Sequence, residues 1–378
     1  MSDIMPIDLA QYPPIDSPAR VLLGPGPSMV HPRVLRVMTA PMVGYVDPYY
    51  LHVMDQVQDL LRYLFQTKNE QTFTVSGTGS AGMETAIANM VEPGDSVLVC
   101  VNGYFGLRLA EMARRADGAV ATLDNPWGQL FSVEEIQAAL AERPAKVVAI
   151  VHGETSTGAC QPIEGIADVV HAQGGVLIVD TVASLGGVPF KVDELGVDVC
   201  YTGSQKCLSC PPGLAPITFS PLAMQKIEHR ETPVLNWYLD VGLIQNYWNE
   251  NRAYHHTGPV TMQYAMHESL RLVAEEGLEA RWVRHKACAE MLWAGLEDLG
   301  LSLIVPAENR LISLTTVAAP EGYDEAAIRK QLLTETNIEI AGGLGELKGK
   351  GWRVGLMGYS AREENVLLLL AALKKILG

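Results

Sequence analysis

The sequence predicts an α/β protein: a large domain built on a mostly parallel, seven-stranded sheet flanked by helices, followed by a smaller C-terminal α+β domain. Three observations carry this. Between residues 72 and 220, short β-branched runs alternate with helical segments, the pattern of a parallel sheet covered on both faces. Each interval between runs is long enough for a βαβ crossover, which makes an open sheet the economical solution. After residue 260 the pattern changes to long helices and then to a separate set of short elements.

Taken in order, residues 1–20 are rich in Pro and Asp and read as an arm wrapping a surface or a partner subunit. The large domain is expected over 21–260, with strands over 72–76, 96–101, 119–123, 146–152, 176–180, 197–202 and 216–220. Helices over 81–90, 106–115, 133–140 and 163–171 fill the crossovers. The C-terminal region, 261–378, opens with helices over 261–276 and 278–299, the second stopped by Gly300, whose missing Cβ suits a helix end. Strands over 302–305, 311–316, 338–341 and 352–355 and helices over 324–336 and 363–377 complete it.

Composition narrows the function. A net charge of −15 repels nucleic acid and anionic membranes, both of which attract basic surfaces. No apolar run approaches the roughly 18 residues that a membrane span needs, and the first residues lack the basic and apolar segments of a signal peptide, so a cytoplasmic location is expected. Six cysteines in so long a chain are expected to be free thiols. Cys207 and Cys210 have a spacing that suits redox or zinc chemistry, but there is no second CxxC and Pro211-Pro212-Gly213 follows at once, so no metal is expected.

Three features fall where an open α/β sheet places its ligands, at the ends of strands. The turn Ser76-Gly77-Thr78-Gly79-Ser80 lies between a strand and a helix, where unpaired backbone N–H groups, the helix dipole and hydroxyls can hold a phosphate. Gly77, Gly79 and Gly82 also spell GxGxxG, which raises an NAD-dependent oxidoreductase as an alternative. That reading lacks its acidic ribose partner, because the next strand runs into Asn102-Gly103-Tyr104-Phe105. The second feature is Asp180, a carboxylate at the tip of an apolar strand, where burial demands a cationic or hydrogen-bonding partner. Helix capping or ribose binding would also satisfy it. The third is Lys206, set in an irregular loop between Gly203-Ser204-Gln205 and Pro211-Pro212-Gly213, a setting in which a desolvated amine becomes a nucleophile.

With these residues goes a resemblance to the class V, fold-type I pyridoxal-phosphate aminotransferases, closest to the alanine:glyoxylate and serine:pyruvate or serine:glyoxylate group, over nearly the whole length. It rests on Leu23-Gly24-Pro25-Gly26-Pro27-Ser28, Ser76-Gly77-Thr78-Gly79, Asn102-Gly103, His152-Gly153-Glu154-Thr155-Ser156-Thr157-Gly158, Val179-Asp180-Thr181-Val182-Ala183-Ser184, Gly203-Ser204-Gln205-Lys206, Tyr254-His255-His256-Thr257 and Gly342-Gly343-Leu344-Gly345.

The resemblance implies that Lys206 carries pyridoxal 5′-phosphate through its amine and later moves the proton, and that Asp180 pairs with the ring nitrogen. Thr78, Gly79, Ser80 and Gln205 would hold the phosphate, Phe105 would stack on the ring, and Thr155 would lie beside it. Tyr254 and Thr257 would reach the phosphate of a neighbouring subunit, so a homodimer is implied. Arg353 would clamp a substrate carboxylate, with Gly26 and Thr155 beside it. The implied reaction is a ping-pong transfer of an amino group from alanine or serine to glyoxylate or pyruvate, with (S)-ureidoglycine as the alternative donor. Tyr45 stands where many relatives carry histidine, and Gly258 after Thr257 is expected to loosen the dimer-facing loop. The adjacent His255 and His256 are read as strand residues facing opposite ways, which argues against a metal site. A cysteine desulfurase would need a thiol on a late loop, and the last cysteine, Cys288, falls inside a predicted helix.

Overall fold

The computed structural model of the chain describes residues 5 and 7–378; the start of the expected arm, residues 1–4 and 6, lies outside the described residues. A seven-stranded sheet organises the fold. From edge to edge its strands are Gln71–Ser76, Leu214–Phe219, Val199–Tyr201, Val176–Asp180, Val147–Val151, Ser96–Val101 and Ala119–Asp124. Only Leu214–Phe219 runs antiparallel to its neighbours. The central strands are buried along their whole length, which is why they read as unbroken Val/Ile/Leu runs rather than alternating ones.

Register sets the position of the site. Asp180 pairs with Val151 on one side and with Tyr201 on the other, so three central strands end at one level and release their loops around a single carboxylate. The helix Gly79–Met90 packs down on this sheet because Gly82 has no side chain. A Cβ there would lie 3.1 Å from that of Ala215 and 3.3 Å from that of Tyr201. Close packing therefore accounts for the third glycine of GxGxxG.

The main hydrophobic cluster surrounds this sheet, and a second joins Leu23, Leu292, Leu296, Ile328, Leu332, Trp352, Val354 and Leu369. The helix Leu278–Asp298 connects them, its first residue in one cluster and Leu292 and Leu296 in the other. Val21–Leu22 pairs in parallel with Ile338–Glu339, which draws this early segment onto the C-terminal cluster.

Four expectations need correction. Residues 302–305 form no strand: only the single bridge between Leu303 and Val317 exists, and Pro306, which has no N–H to donate, follows. The next strand begins later than expected, at Leu314–Ala318, because Leu311 donates to the Gly158 carbonyl and Ser313 to that of Ala183, tying this stretch to the sheet loops instead. The expected strand over 338–341 is two short ones in different sheets, Ile338–Glu339 and Ala341–Gly342, the latter paired with Gly351–Gly355. Gly258 does not loosen its loop, since a Cβ there would lie 2.6 Å from the Tyr50 hydroxyl and 3.0 Å from that of Tyr247.

One long helix, Pro48–Phe65, escaped the sequence reading. Its signals are ordinary: Asp47 caps it by accepting from Tyr49 N, Pro48 opens it, and Tyr50, Val53, Met54, Val57, Leu61 and Leu64 form its buried stripe.

Candidate active site

A cavity of about 180 Å³ opens at the ends of the central strands. Among its walls are Thr78, Gly79, Ser80, Phe105, Thr155, Asp180, Gln205 and Lys206, eight residues drawn from five separate loops. The structure thus brings most of the sequence-predicted site residues around one space.

At one end the helix Gly79–Met90 begins. Thr78 is its N-cap but makes no side-chain cap, and the N–H groups of Thr78, Gly79 and Ser80 find no acceptor among the described residues. Three unpaired donors at a helix N-terminus attract an anion. Gln205 reaches the same space, and its buried side-chain Oε1 likewise has no partner among the described residues.

Asp180 lies on the cavity wall with 2 % of its surface exposed. Val182 N donates to Oδ1 at 2.8 Å and the Tyr201 hydroxyl to Oδ2 at 2.9 Å. Burial pushes its carboxyl up to about 6, and these two donors pull it down only in part. A cation placed against it would return the charge that burial disfavours.

Lys206 projects from a loop whose carbonyls are all engaged. Ser28 N donates to Gln205 O, Ser28 Oγ to Lys206 O, Arg281 Nη2 to Cys207 O at 2.5 Å, and Ser269 Oγ to Leu208 O. With its backbone clamped, the side chain has little freedom beyond its own rotamers. Nζ donates to the carbonyl of Pro25. Burial lowers the amine to about 8; Cys207 opposes this, Arg353 adds to it and Asp180 opposes it. Cys207 itself is buried, its thiol donates to Ala183 O, and burial pushes it up to about 11, which leaves it a poor nucleophile.

Phe105 is placed by a residue the sequence reading did not assign. Glu154, with 1 % of its surface exposed, accepts from Phe105 N at 2.9 Å, from Ser156 N at 2.9 Å and from Ser156 Oγ at 2.7 Å. It thereby caps the helix Tyr104–Arg115 from outside, and its fit needs Gly103, where any Cβ would collide with the carboxylate. One turn along that helix, Arg108 also lines the cavity and donates through Nη1 to Ser80 Oγ at 3.2 Å. Both contacts join residues far apart in sequence, so no local pattern announces them.

Arg353 and Gly26 are not among the cavity walls, but each touches a residue that is: Gly26 lies against Lys206, and Arg353 against Thr155. Arg353 donates to Gly342 O at 2.8 Å and to Thr155 O at 3.3 Å, while its Nη2 has no protein partner among the described residues. Tyr254 and Thr257 do not line this cavity. They are exposed, Tyr254 by 59 %, and their hydroxyls lie 3.4 Å apart. Beside them the two histidines correct an expectation: they occupy a loop rather than a strand, and their Nδ1 atoms face each other at 2.9 Å. His256 Nε2 also lies 2.8 Å from Ser76 Oγ, at the start of the anion-attracting turn.

Comparison with known proteins agrees with this geometry. The family described as Aminotransferase class-V matches residues 42–364. The chain is 41% identical to the (S)-ureidoglycine–glyoxylate transaminase of Bacillus subtilis, covering 96% of this chain and 91% of that protein. It is 40% identical to the alanine–glyoxylate aminotransferase of Mus musculus, covering 99% and 91%. The crystal structure of alanine–glyoxylate aminotransferase from Nostoc sp. superposes with a TM-score of 0.96 at 51% identity, covering 99% of this chain and all of that one. Structures of NifS-like proteins share the fold at 18% identity and a TM-score of 0.74. With the family match spanning most of its length and the site residues assembled at the strand ends, the chain belongs to the class-V aminotransferases.

Proposed function

We propose that this aminotransferase uses pyridoxal 5′-phosphate to move an amino group from a small amino acid, alanine or serine, to glyoxylate or pyruvate. The observation that carries the reading is the placement of Lys206 Nζ: a buried amine, lowered to about 8, in the same small cavity as Asp180 and a helix N-terminus with three unpaired donors. The residues present fit the cofactor. Its phosphate would be held by the N–H groups of Thr78, Gly79 and Ser80 and by the NH₂ group of the Gln205 amide. Asp180 would face the ring nitrogen and keep its carboxylate ionised there. Phe105 would cover one face of the ring and Thr155 would lie beside it.

Bound in this way, the cofactor supplies the carbonyl carbon that receives the nitrogen and a ring that accepts the electrons. The protein does the rest. Arg353 holds the substrate carboxylate through its free Nη2, with Gly26 beside it, which fixes the α-carbon near Lys206. Lys206 Nζ, unprotonated above about pH 8, takes the proton from that α-carbon and returns one later in the cycle. A single carboxylate clamp suits small monocarboxylic substrates. Glyoxylate is the acceptor named for both curated relatives, which supports it as acceptor here. The similarity to the Bacillus enzyme also favours (S)-ureidoglycine as a second donor reading.

A homodimer belongs to the same proposal. Tyr254 and Thr257 are exposed, and Ile7, Leu9, Tyr12 and Ile15 of the arm leave apolar side chains in solvent, so a second copy gives each of them a partner.

The test is a half-reaction screen. The pyridoxal form, recognised by a near-visible band that borohydride abolishes, is mixed with single amino acids, and the rate of band loss is read. Alanine, serine or (S)-ureidoglycine should react fastest. Faster loss with glutamate or aspartate would refute the small-substrate assignment.

A further inference from the structure

Arg108 is not among the residues that the family pattern picks out, yet four observations converge on it. It lines the cavity, and Nη1 donates to the hydroxyl of Ser80, the third residue of the turn with unpaired N–H groups. Its guanidinium lies 4.9 Å from the Phe105 ring centre and 5.2 Å from that of Tyr104, two aromatics three and four residues earlier on the same helix. These rings hold the cation in place without neutralising it. Among the described residues it forms no ion pair, unlike Arg33, Arg281 and Arg329. A cation held beside the unpaired N–H groups of a helix N-terminus adds to the positive potential there, and an anion satisfies both.

We infer that Arg108 is a phosphate-binding residue of this site, joining the N–H groups of Thr78, Gly79 and Ser80 in one anion seat. The ligand it recognises is a phosphate monoester dianion, for which a planar guanidinium offers two parallel donors. Nη1 already lies at Ser80, beside the N–H groups that form the seat. The inference rests on the cofactor assignment above and deepens it: Arg108 tunes affinity for the phosphorylated cofactor and contributes nothing to the pyridine ring.

The test separates those two parts of the ligand. Apoenzyme of the wild type, Arg108→Met and Arg108→Lys is titrated with pyridoxal 5′-phosphate and, separately, with unphosphorylated pyridoxal, following the near-visible band; inorganic phosphate is used as a competitor. Arg108→Met should bind the phosphorylated form about ten- to a hundredfold more weakly, the range of a hydrogen bond to a charged group, and bind pyridoxal as the wild type does. Arg108→Lys should fall between, and phosphate should protect the wild type better than either variant. Equal weakening toward both ligands would mean that Arg108 only positions Phe105, and equal affinity toward both would mean that it contacts neither; each overturns the inference. If Arg108→Met fails to fold, the Arg108→Lys and phosphate-competition measurements decide alone. Failure of the wild type to form the band at all would instead sink the cofactor assignment.

Discussion

Gly26 and Lys206 touch so closely that any side chain at position 26 must displace that of the lysine. A Cβ built on Gly26 would lie 2.8 Å from both Cδ and Nζ of the lysine, and its φ of +112° is a backbone conformation that side chains oppose. The carbonyl just before it, that of Pro25, accepts the hydrogen bond from Nζ. The segment at residues 25–26 therefore positions the amine from above while the clamped loop at 205–208 positions it from below.

From this contact, Gly26→Ala should displace the amine rather than unfold the protein. The expected outcome is loss of most of the near-visible band at saturating cofactor, with a denaturant midpoint lowered by about 1–3 kcal/mol for backbone strain. Lys206→Ala should abolish the band outright and reduce transamination by about 10²–10⁴-fold or more. A Gly26→Ala protein with an intact band and normal turnover would show that the contact has no functional weight.

The amine at 206 also predicts a pH dependence. Burial lowers it from an ordinary 10.5 to about 8, with Cys207 and Asp180 opposing and Arg353 assisting. Only the neutral amine attacks an aldehyde, so the rate at which apoenzyme takes up the cofactor should climb with pH, pass half its maximum near 8 and level off above about 9. A group whose folded value lies below its unfolded value disfavours the charged form in the folded state. Between about 8 and 10.5 the unfolded chain binds more protons at this position, and stability should rise with pH in that window. Urea melts of apo wild type and Lys206→Met at pH 8 and pH 10 measure it: the difference between the two proteins should shift in favour of the wild type as pH rises.

How much of this was readable from residue order depends on the range of the interactions involved. The strand Val176–Asp180 and the helix Glu363–Leu377 were found to the residue, because an unbroken apolar run and an amphipathic stripe are local signals. The turn at Ser76–Ser80 was legible for the same reason, since glycines between strand and helix mark where a backbone opens to a ligand. The stretch at 302–305 misled because its alternation is strand-like while its neighbours give it only one bridge. Glu154 and Arg108 were illegible: the first acts 49 residues from Phe105 and the second 28 residues from Ser80, and only the folded sheet makes those distances short. The arm and Tyr254 remain exposed, so their expected contacts with a partner subunit are not met within a single chain.

Glu154 offers a test of positioning distinct from chemistry. It does not line the cavity, but it holds the helix start that presents Phe105. Burial pushes its carboxyl up, while donors from Ser156, Phe105 and Gly106 pull it down. Glu154→Gln keeps the shape but turns an NH₂ group toward one of those N–H or O–H donors, so about 1–3 kcal/mol of stability should be lost, read from denaturant midpoints. Cofactor affinity should fall for the phosphorylated and unphosphorylated forms alike if Phe105 covers the ring as proposed. An unchanged midpoint would mean that the helix start is held by other bonds.

The last prediction concerns the carboxylate clamp. Arg353 uses two nitrogens to hold itself, on the carbonyls of Gly342 and Thr155, and leaves Nη2 without a protein partner among the described residues. Burial lowers the guanidinium and Glu154 works against that, but an arginine stays charged across the working pH range. A lysine carries the same charge on one atom and cannot keep two backbone anchors while binding a carboxylate. Arg353→Lys should therefore raise KM for the amino acid and the 2-oxo acid together by about ten- to a hundredfold, while leaving the near-visible band in place. The paired rise is the informative part, since both substrates offer their carboxylate to one site in turn. A rise for one substrate alone would require a second clamp elsewhere, and unchanged values for both would remove Arg353 from the substrate site.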